Sequence, residues 1–157
     1  MAAPPIELER FLPYRLSVLA NLTSSTIAVA YEQQFDLSIP EWRVIAVLSR
    51  YPGLSARDVA QKSRMDAVAV SRAVKRLLRA GRLQRTVDAA DRRRSVQRVS
   101  RSGAAVYRQV APLALRFEQD LLASFTAADR ALLDRVIGRL QARAEVLADK
   151  MRREPLA

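Results

Sequence analysis

The apolar residues near the start of the chain recur at steps of three and four, which is the spacing of one helical face. A proline at position 13 suits the first turn of such a helix. The pattern predicts one long amphipathic helix over roughly 12–35, while the polar, proline-rich residues 1–10 form a loose arm. The residues on the apolar face are Leu12, Leu16, Leu19, Thr23, Ile27, Tyr31 and Phe35.

A second helix follows, and its two ends are marked in the sequence. Ser38 with Glu41 three residues later has the spacing of a capping box, which predicts that the helix begins there. The Tyr-Pro-Gly run at 51–53 predicts its end. Ser55 and Asp58 then have the spacing of another cap, so a short helix is expected over about 55–62.

The next helix divides into a core face and a basic face. Asp66 is a good N-cap, Met65 and Val70 occupy the positions of a hydrophobic staple, and Gly81 is a C-terminal stop. At 100° per residue, one side collects the apolar residues Val70, Val74, Leu77 and Leu78. The opposite side collects Val68, Arg72, Lys75, Arg76 and Arg79. Together with the preceding short helix, this predicts a helix-turn-helix.

Two short segments rich in β-branched residues follow, at 83–87 and 96–99. Both alternate in part between apolar and polar residues, so they predict two strands of a hairpin. The polar stretch 88–95 between them suits the hairpin tip. A basic hairpin directly after a candidate recognition helix is typical of a wing.

The C-terminal third predicts two further helices. Ser100 can cap a helix through about 123, in spite of Gly103 in its first turn, and Pro112 should bend or interrupt it. Thr126 and Asp129 form another predicted cap. The last helix carries a broad apolar stripe of Leu132, Leu133, Val136, Ile137, Leu140 and Leu147.

These elements indicate a mainly α protein (α+β) built as a winged helix-turn-helix with long flanking dimerisation helices and a two-stranded wing. The expected division is an N-terminal arm and dimerisation helix over 1–37, a DNA-binding module over 38–101, and C-terminal dimerisation helices over 102–157. The module is too small to cover all the apolar stripes, so a second copy of the chain is the natural partner.

The positive charge is concentrated in the middle of the chain. Residues 57–103 contain 14 basic and four acidic residues, a net +10 out of the +11 of the whole chain. A localised basic stretch indicates a polyanionic partner, although a solvated basic face that aids solubility is the simpler alternative for a single charge run.

Several classes of chemistry are excluded or disfavoured. The chain has no Cys and no His, so it lacks a disulfide, a thiolate nucleophile, a Ser-His-Asp site and a zinc site of the usual ligands. A carboxylate-only enzyme or an oxygen-ligated metal stays possible, but the 16 scattered acids favour neither. With no export signal and no membrane-length apolar run, we expect a cytoplasmic protein without a cofactor or membrane partner.

The wing segment resembles that of MarR-family regulators. In that family the wing reads Asp-Arg-Arg, two variable residues, an alternating strand, then Thr or Ser, two residues and Gly. Residues 73–81 also resemble the end of the family's recognition helix, and the order of helices agrees over about 10–150. The wing run here is Asp91-Arg92-Arg93-Arg94-Ser95-Val96-Gln97-Arg98-Val99-Ser100-Arg101-Ser102-Gly103.

The resemblance implies a homodimeric winged helix-turn-helix regulator, usually a repressor released by a small molecule. It implies that Ser71 and Arg72 act in the major groove of a palindromic operator and that Arg92, Arg93 and Arg94 act at the minor groove. Asp91 would orient the wing arginines.

The residues themselves lead to the same groups: an exposed arginine can donate two hydrogen bonds to a guanine edge, and arginines suit a narrow minor groove. Val68, Lys75 and Arg76 share the exposed face, although Arg76 and Arg79 fit a phosphate contact or solvent better than base reading.

A narrower resemblance concerns the signal. The stretches 38–43 and 65–73 are similar to members that control aromatic-acid breakdown, including regulators that sense hydroxycinnamoyl-CoA thioesters. Family pockets lie between the dimer helices and the DNA module, which makes Tyr14, Arg15, Trp42 and Tyr107 candidate lining residues for an aromatic carboxylate or acyl-CoA. The alternative is that Trp42 and Tyr107 simply belong to the core.

Three functional hypotheses follow. The leading one is a ligand-responsive repressor of a catabolic operon on a palindromic operator. The second is a non-specific architectural DNA-binding protein, which keeps the charge argument without sequence reading. The third is an enzyme that uses carboxylates, and it lacks a clustered pair of acids in the sequence.

Overall fold

The computed structural model describes residues 5–87 and 95–154. In this part of the chain there are six helices and two strands: α1 (Leu12–Phe35), α2 (Ile39–Arg50), α3 (Ala56–Ser63), α4 (Ala67–Arg79), β1 (Leu83–Val87), β2 (Ser95–Val99), α5 (Arg101–Leu121) and α6 (Ala127–Arg153). The fold is a winged helix-turn-helix with long helices on either side, as the sequence predicts.

The helix starts lie where the polar residues predict them. The Glu41 carboxylate accepts hydrogen bonds from the backbone N–H and the hydroxyl of Ser38, at 2.8 and 2.6 Å. The Ser55–Asp58 and Thr126–Asp129 pairs form the same reciprocal box. These bonds satisfy backbone donors that the first helical turn leaves without partners, so the local sequence is sufficient to place each start.

One apolar core lies within the unit that spans Met1–Leu115. Only the second half of α1 contributes to it, through Ala28 and Tyr31, whereas Leu12, Leu16 and Leu19 are exposed. The predicted apolar face of α1 is therefore exposed in the first half of the helix and buried or half-buried in the second half. The buried core residues are Ala28, Tyr31, Leu37, Val44, Ile45, Leu48, Val59, Ala60, Val70, Ala73, Val74, Leu77, Leu83, Val106 and Val110.

The strands form an antiparallel pair with Leu83 opposite Val99 and Val87 opposite Ser95. A single bridge adds Leu54 to the other edge of β2, where the N–H of Gln97 donates to the carbonyl of Leu54 at 2.8 Å. This bridge ties the wing to the loop between α2 and α3. The sequence does not predict it, because one isolated residue carries no strand pattern.

The C-terminal part differs from expectation at Pro112. Helix α5 continues through this proline without interruption. A proline removes one backbone hydrogen bond but does not end this helix, so the expected interruption is wrong, whereas the alternative of a bend stays a prediction.

A second compact unit spans Arg116–Ala157 and contains all of α6. Helix α6 buries none of its residues within this chain. The division between the two units lies inside α5, whereas the sequence suggests functional segments that divide near 37 and 101; those segments stay a prediction. Within the described ranges, no helix is long and apolar enough to cross a membrane.

Candidate nucleic-acid interface

Helix α4 has the two faces that its sequence predicts. Val70, Ala73, Val74 and Leu77 are buried, and Leu78 packs against the same core. The opposite side presents Val68, Arg72, Lys75, Arg76 and Arg79 to solvent, with Ser71 half-buried beside them. An apolar face fixes the helix to the module while a cationic face stays accessible, which is the arrangement a major-groove reading helix needs.

Both ends of α4 are fixed by short-range contacts. The Asp66 carboxylate accepts the N–H of Ala69 at 2.8 Å, and Met65 packs against the same core as Val70. At the other end, Gly81 adopts a φ of 67°, in the left-handed region that favours glycine. The chain then turns directly into β1, so the helix and the wing are joined by only a few residues.

The start of α5 locks the wing to the end of α4. The Ser100 hydroxyl donates to the carbonyl of Gly81 at 2.7 Å and accepts the N–H of Gly103 at 3.0 Å. The N–H of Ser100 donates to the carbonyl of Arg82 at 3.0 Å. The Ser-x-x-Gly end of the wing motif therefore has a structural role: its hydrogen bonds hold the base of the hairpin against the end of the recognition helix.

The wing tip is the other half of the predicted interface. Strand β1 leads toward it through Val87, which is exposed. Asp91, Arg92, Arg93 and Arg94 lie outside the described residues. Their assignment to the minor groove and to wing orientation stays a prediction from the sequence and the family pattern.

Several basic residues of the 57–103 stretch have partners within the protein. The Nε of Arg76 lies 3.1 Å from a carboxylate oxygen of Glu41, which is buried. The Arg82 guanidinium donates to the carbonyl of Phe35, and the Lys62 ammonium lies 3.9 Å from the ring centre of Tyr51. The sequence predicted phosphate or solvent for Arg76, and it missed this carboxylate partner, because the two residues are far apart in the chain. No local pattern would have indicated the pair.

Two of the aromatic candidates for ligand binding, Trp42 and Tyr107, stack on each other, and Tyr31 lies on the other side of Trp42. The centre of the Trp42 ring lies 5.8 Å from the ring centres of both Tyr31 and Tyr107. The planes of the Trp42 and Tyr107 rings make an angle of 21°. Trp42 and Tyr107 are half-buried and pack against the core, as the simpler interpretation held. Burial raises the pKa of Tyr31 to about 12, and the neighbouring Glu32 carboxylate adds to the effect. Tyr14 and Arg15 are exposed in the first turn of α1, so the structure of one chain does not bring the four candidates together.

Two open grooves carry arginines that the sequence did not single out as ligand residues. A groove of about 470 Å³ lies between α1 and α2, lined by Asn21, Ser24, Ser25 and apolar neighbours. Arg43 also lines it, and its guanidinium donates to the Ser24 hydroxyl at 2.7 Å. A second groove of about 380 Å³ lies beside the wing root. Its lining residues are Leu48, Ser49, Pro52, Arg98, Val99, Ala104, Tyr107 and Arg108.

Both groove volumes fall in the range of small-molecule sites. Of the four sequence-predicted ligand residues, only Tyr107 lines either groove. The missed arginines are Arg43 on α2, Arg98 on β2 and Arg108 on α5, and the sequence analysis assigned these elements to the DNA-binding module and to a dimerisation helix. Among the described residues, no group of three or more carboxylates is arranged to hold a metal ion.

Comparison with known proteins gives matches in sequence and in structure. The model of the MarR family matches residues 35–94, from the end of α1 to the wing tip. No curated protein sequence matches the chain.

Solved structures share the fold over most of the chain. A MarR/EmrR family regulator from Acinetobacter sp. ADP1 is 26% identical with a TM-score of 0.81, over 89% of this chain and 99% of the other. PcaV from Streptomyces coelicolor, solved with its natural ligand, is 27% identical with a TM-score of 0.69, over 92% and 99%. Bordetella bronchiseptica BpsR, whose DNA binding is regulated by 6-hydroxynicotinic acid, shares the fold at 18% identity and a TM-score of 0.75, over 88% and 98%.

The matched segment contains α2, α3, α4 and β1 and ends before β2, so it includes the helix that presents the cationic face. The shared fold extends to the flanking helices on both sides. Residues 35–94 of this protein therefore match the MarR family, and the chain shares its fold with solved DNA-binding transcriptional regulators of that family.

Proposed function

We propose that the protein is a homodimeric repressor that binds a palindromic operator in the cytoplasm and is released by a small aromatic acid or its CoA thioester. The observation that carries the proposal is the division of α4, with four buried residues on one side and Arg72, Lys75 and Val68 exposed on the other. Arg72 would read a guanine edge, and the wing arginines would enter the adjacent minor groove.

Dimer formation is supported by apolar residues that this chain leaves uncovered. On α1 these include Leu12, Leu16, Leu19 and Leu22, and on α6 they are Leu132, Leu133, Val136, Ile137, Leu140 and Leu147. Monomeric proteins rarely leave large apolar patches uncovered, so a row of large apolar side chains along each of these helices favours an interface. A twofold dimer would place two recognition helices about 34 Å apart, one turn of DNA, and would explain a palindromic operator.

Release by an effector is supported by the two grooves. Each combines apolar walls with arginine, which can pair with a carboxylate. PcaV has a natural ligand and BpsR responds to an aromatic acid, so a ligand of this class suits the present chain. The effector would have to bind the DNA-competent and DNA-incompetent states with different affinities, because equal affinities shift no equilibrium.

The test is binding to the DNA upstream of the protein's own gene, measured by fluorescence anisotropy with excess random duplex. Binding that survives the competitor supports a sequence-specific regulator, whereas equal competition by any duplex supports the architectural alternative. A segment selected from a random-sequence duplex pool replaces the upstream DNA if the operator lies elsewhere in the genome.

The effector is sought in the same assay with a panel of aromatic acids and their CoA thioesters. The chain has one tryptophan, Trp42, which stacks on Tyr107 at the edge of the wing-root groove. A compound that binds there should change Trp42 fluorescence in the concentration range in which it releases DNA. Release without a fluorescence change would direct attention to the α1–α2 groove.

A further inference from the structure

Within the described ranges, Arg76 of the recognition helix forms an ion pair with a buried carboxylate of α2. This residue lies in the last turn of α4, and its Nε is 3.1 Å from Oε1 of Glu41. Glu41 is only 2% exposed, and its other oxygen, Oε2, accepts both hydrogen bonds from Ser38. A buried carboxylate requires a cation and satisfied hydrogen bonds, and Arg76 is the one basic residue that contacts it within the described chain.

A second set of contacts reaches the same place. The Nη2 of Arg76 lies 3.7 Å from the carboxylate of Asp36, the residue that ends α1. Arg82, just beyond α4, donates to the carbonyl of Phe35. The C-terminal end of the recognition helix is thus attached by two arginines to residues 35–41, which form the junction between α1 and α2.

We propose that Arg76 is a positioning residue rather than a DNA contact: through Glu41 it fixes the recognition helix to the α1–α2 junction and so sets the angle at which Arg72 and Lys75 are presented. This inference rests on the proposed sequence-specific binding. In this ion pair the Nε of Arg76 lies 3.1 Å from Oε1 of Glu41, and the planar guanidinium holds its donors in a fixed fork. Turning it toward a DNA phosphate would leave the buried Glu41 without its cation.

The experiment is a double-mutant cycle on operator affinity. Wild type, Glu41→Gln, Arg76→Gln and the double variant are titrated with the operator selected by the wild-type protein and with random duplex, at several salt concentrations. We expect each single variant to lose roughly tenfold in operator affinity, and the double variant to lose no more than the worse single variant, a coupling of about 1.4 kcal/mol. Random-duplex affinity and the salt slope should stay close to those of the wild type.

A direct phosphate contact gives the opposite result. Arg76→Gln would then lower the salt slope by about one, Glu41→Gln would leave operator affinity unchanged, and the losses would be additive. Any of these three outcomes overturns the inference. Arg79→Gln is the matched control, because Arg79 lies on the exposed face of the same turn without an ion-pair partner in the described structure. Its effect should be additive with that of Glu41→Gln.

Folding is checked by circular dichroism and by retained binding to random duplex. If the glutamine variants unfold, Arg76→Lys decides the question, since it keeps the charge and loses the fork. A phosphate contact would tolerate lysine, whereas the positioning role requires loss of operator preference with random binding intact. A wild-type protein that selects no duplex would reject the proposed function itself, which is a different outcome from an additive cycle.

Discussion

A β-carbon on Gly103 would lie 2.2 Å from the carbonyl oxygen of Arg82. That carbonyl accepts the N–H of Ser100 at 3.0 Å, so the backbone at the start of α5 lies directly against the backbone just before β1. The glycine of the wing motif is therefore required by a close approach of two backbones. Any side chain there would separate the wing root from the recognition helix.

Gly103→Ala should destabilise the protein by about 1–3 kcal/mol, because the added methyl group meets a backbone oxygen that cannot move aside. Gly138→Ala in α6 is the control: a β-carbon there meets nothing within 4 Å, so alanine should stabilise by up to about 1 kcal/mol. Urea unfolding followed by circular dichroism measures both. Equal effects at the two glycines would contradict the close packing.

Arg72→Ala should lower operator affinity by roughly 10- to 100-fold, since a forked contact to guanine is worth about 1–3 kcal/mol. Random-duplex affinity should fall much less. Arg135→Ala is a suitable control, because it removes an exposed arginine of α6, a helix that belongs to the other compact unit of the chain. Anisotropy titrations with both duplexes measure the effects, and equal losses on operator and random DNA would exclude a base-reading role.

Arg93→Ala should weaken binding to every duplex and reduce the salt slope by about one, because a wing arginine in the minor groove displaces a condensed counterion. The measurement is the dissociation constant at five or more salt concentrations. A slope equal to that of the wild type would count against an electrostatic contact at the wing tip.

Ile137→Asp or Leu140→Asp should convert a dimer to monomers, because a carboxylate would be buried in an apolar interface without a partner. Both side chains are exposed in the single chain, at 42% and 37%. Arg135→Asp, on the opposite side of α6 at 100° per residue, should leave the dimer intact. Sedimentation equilibrium measures the mass of each, and a wild-type protein that sediments as a monomer would reject the dimer.

Stability should fall at high pH through Tyr31. An unfolded tyrosine ionises near 10, whereas burial raises the pKa of Tyr31 to about 12 in the folded protein. Below about pH 10 the tyrosine is neutral in both the folded and the unfolded protein, so the free energy of unfolding does not depend on this group's ionisation. Between about pH 10 and 12 only the unfolded tyrosine ionises, so the free energy of unfolding decreases by up to roughly 1.4 kcal/mol per pH unit. Urea unfolding of Tyr31→Phe between pH 9 and 11.5 should show a weaker dependence on pH. Parallel curves for the two proteins would contradict this.

Local patterns in the sequence determined most of the secondary structure. The ends of α1 to α4 and the two strands follow from caps, from the left-handed Gly81 and from the spacing of apolar residues, all of which act within a few residues. The two faces of α4 follow from the same periodicity. The interruption at Pro112 was wrong because the loss of one backbone hydrogen bond does not end a helix of 21 residues.

The tertiary structure decided which partners those side chains have. The Glu41–Arg76 pair, the Arg82 bond to Phe35 and the row of Tyr31, Trp42 and Tyr107 join residues from separate helices. Helical periodicity gives the direction of a side chain from its own axis, but it says nothing about how the axes of two helices cross. The sequence by itself determined the recognition helix, the charge on its exposed face and the resemblance to the MarR family, whereas only the packing of the helices placed Arg76 beside a buried carboxylate.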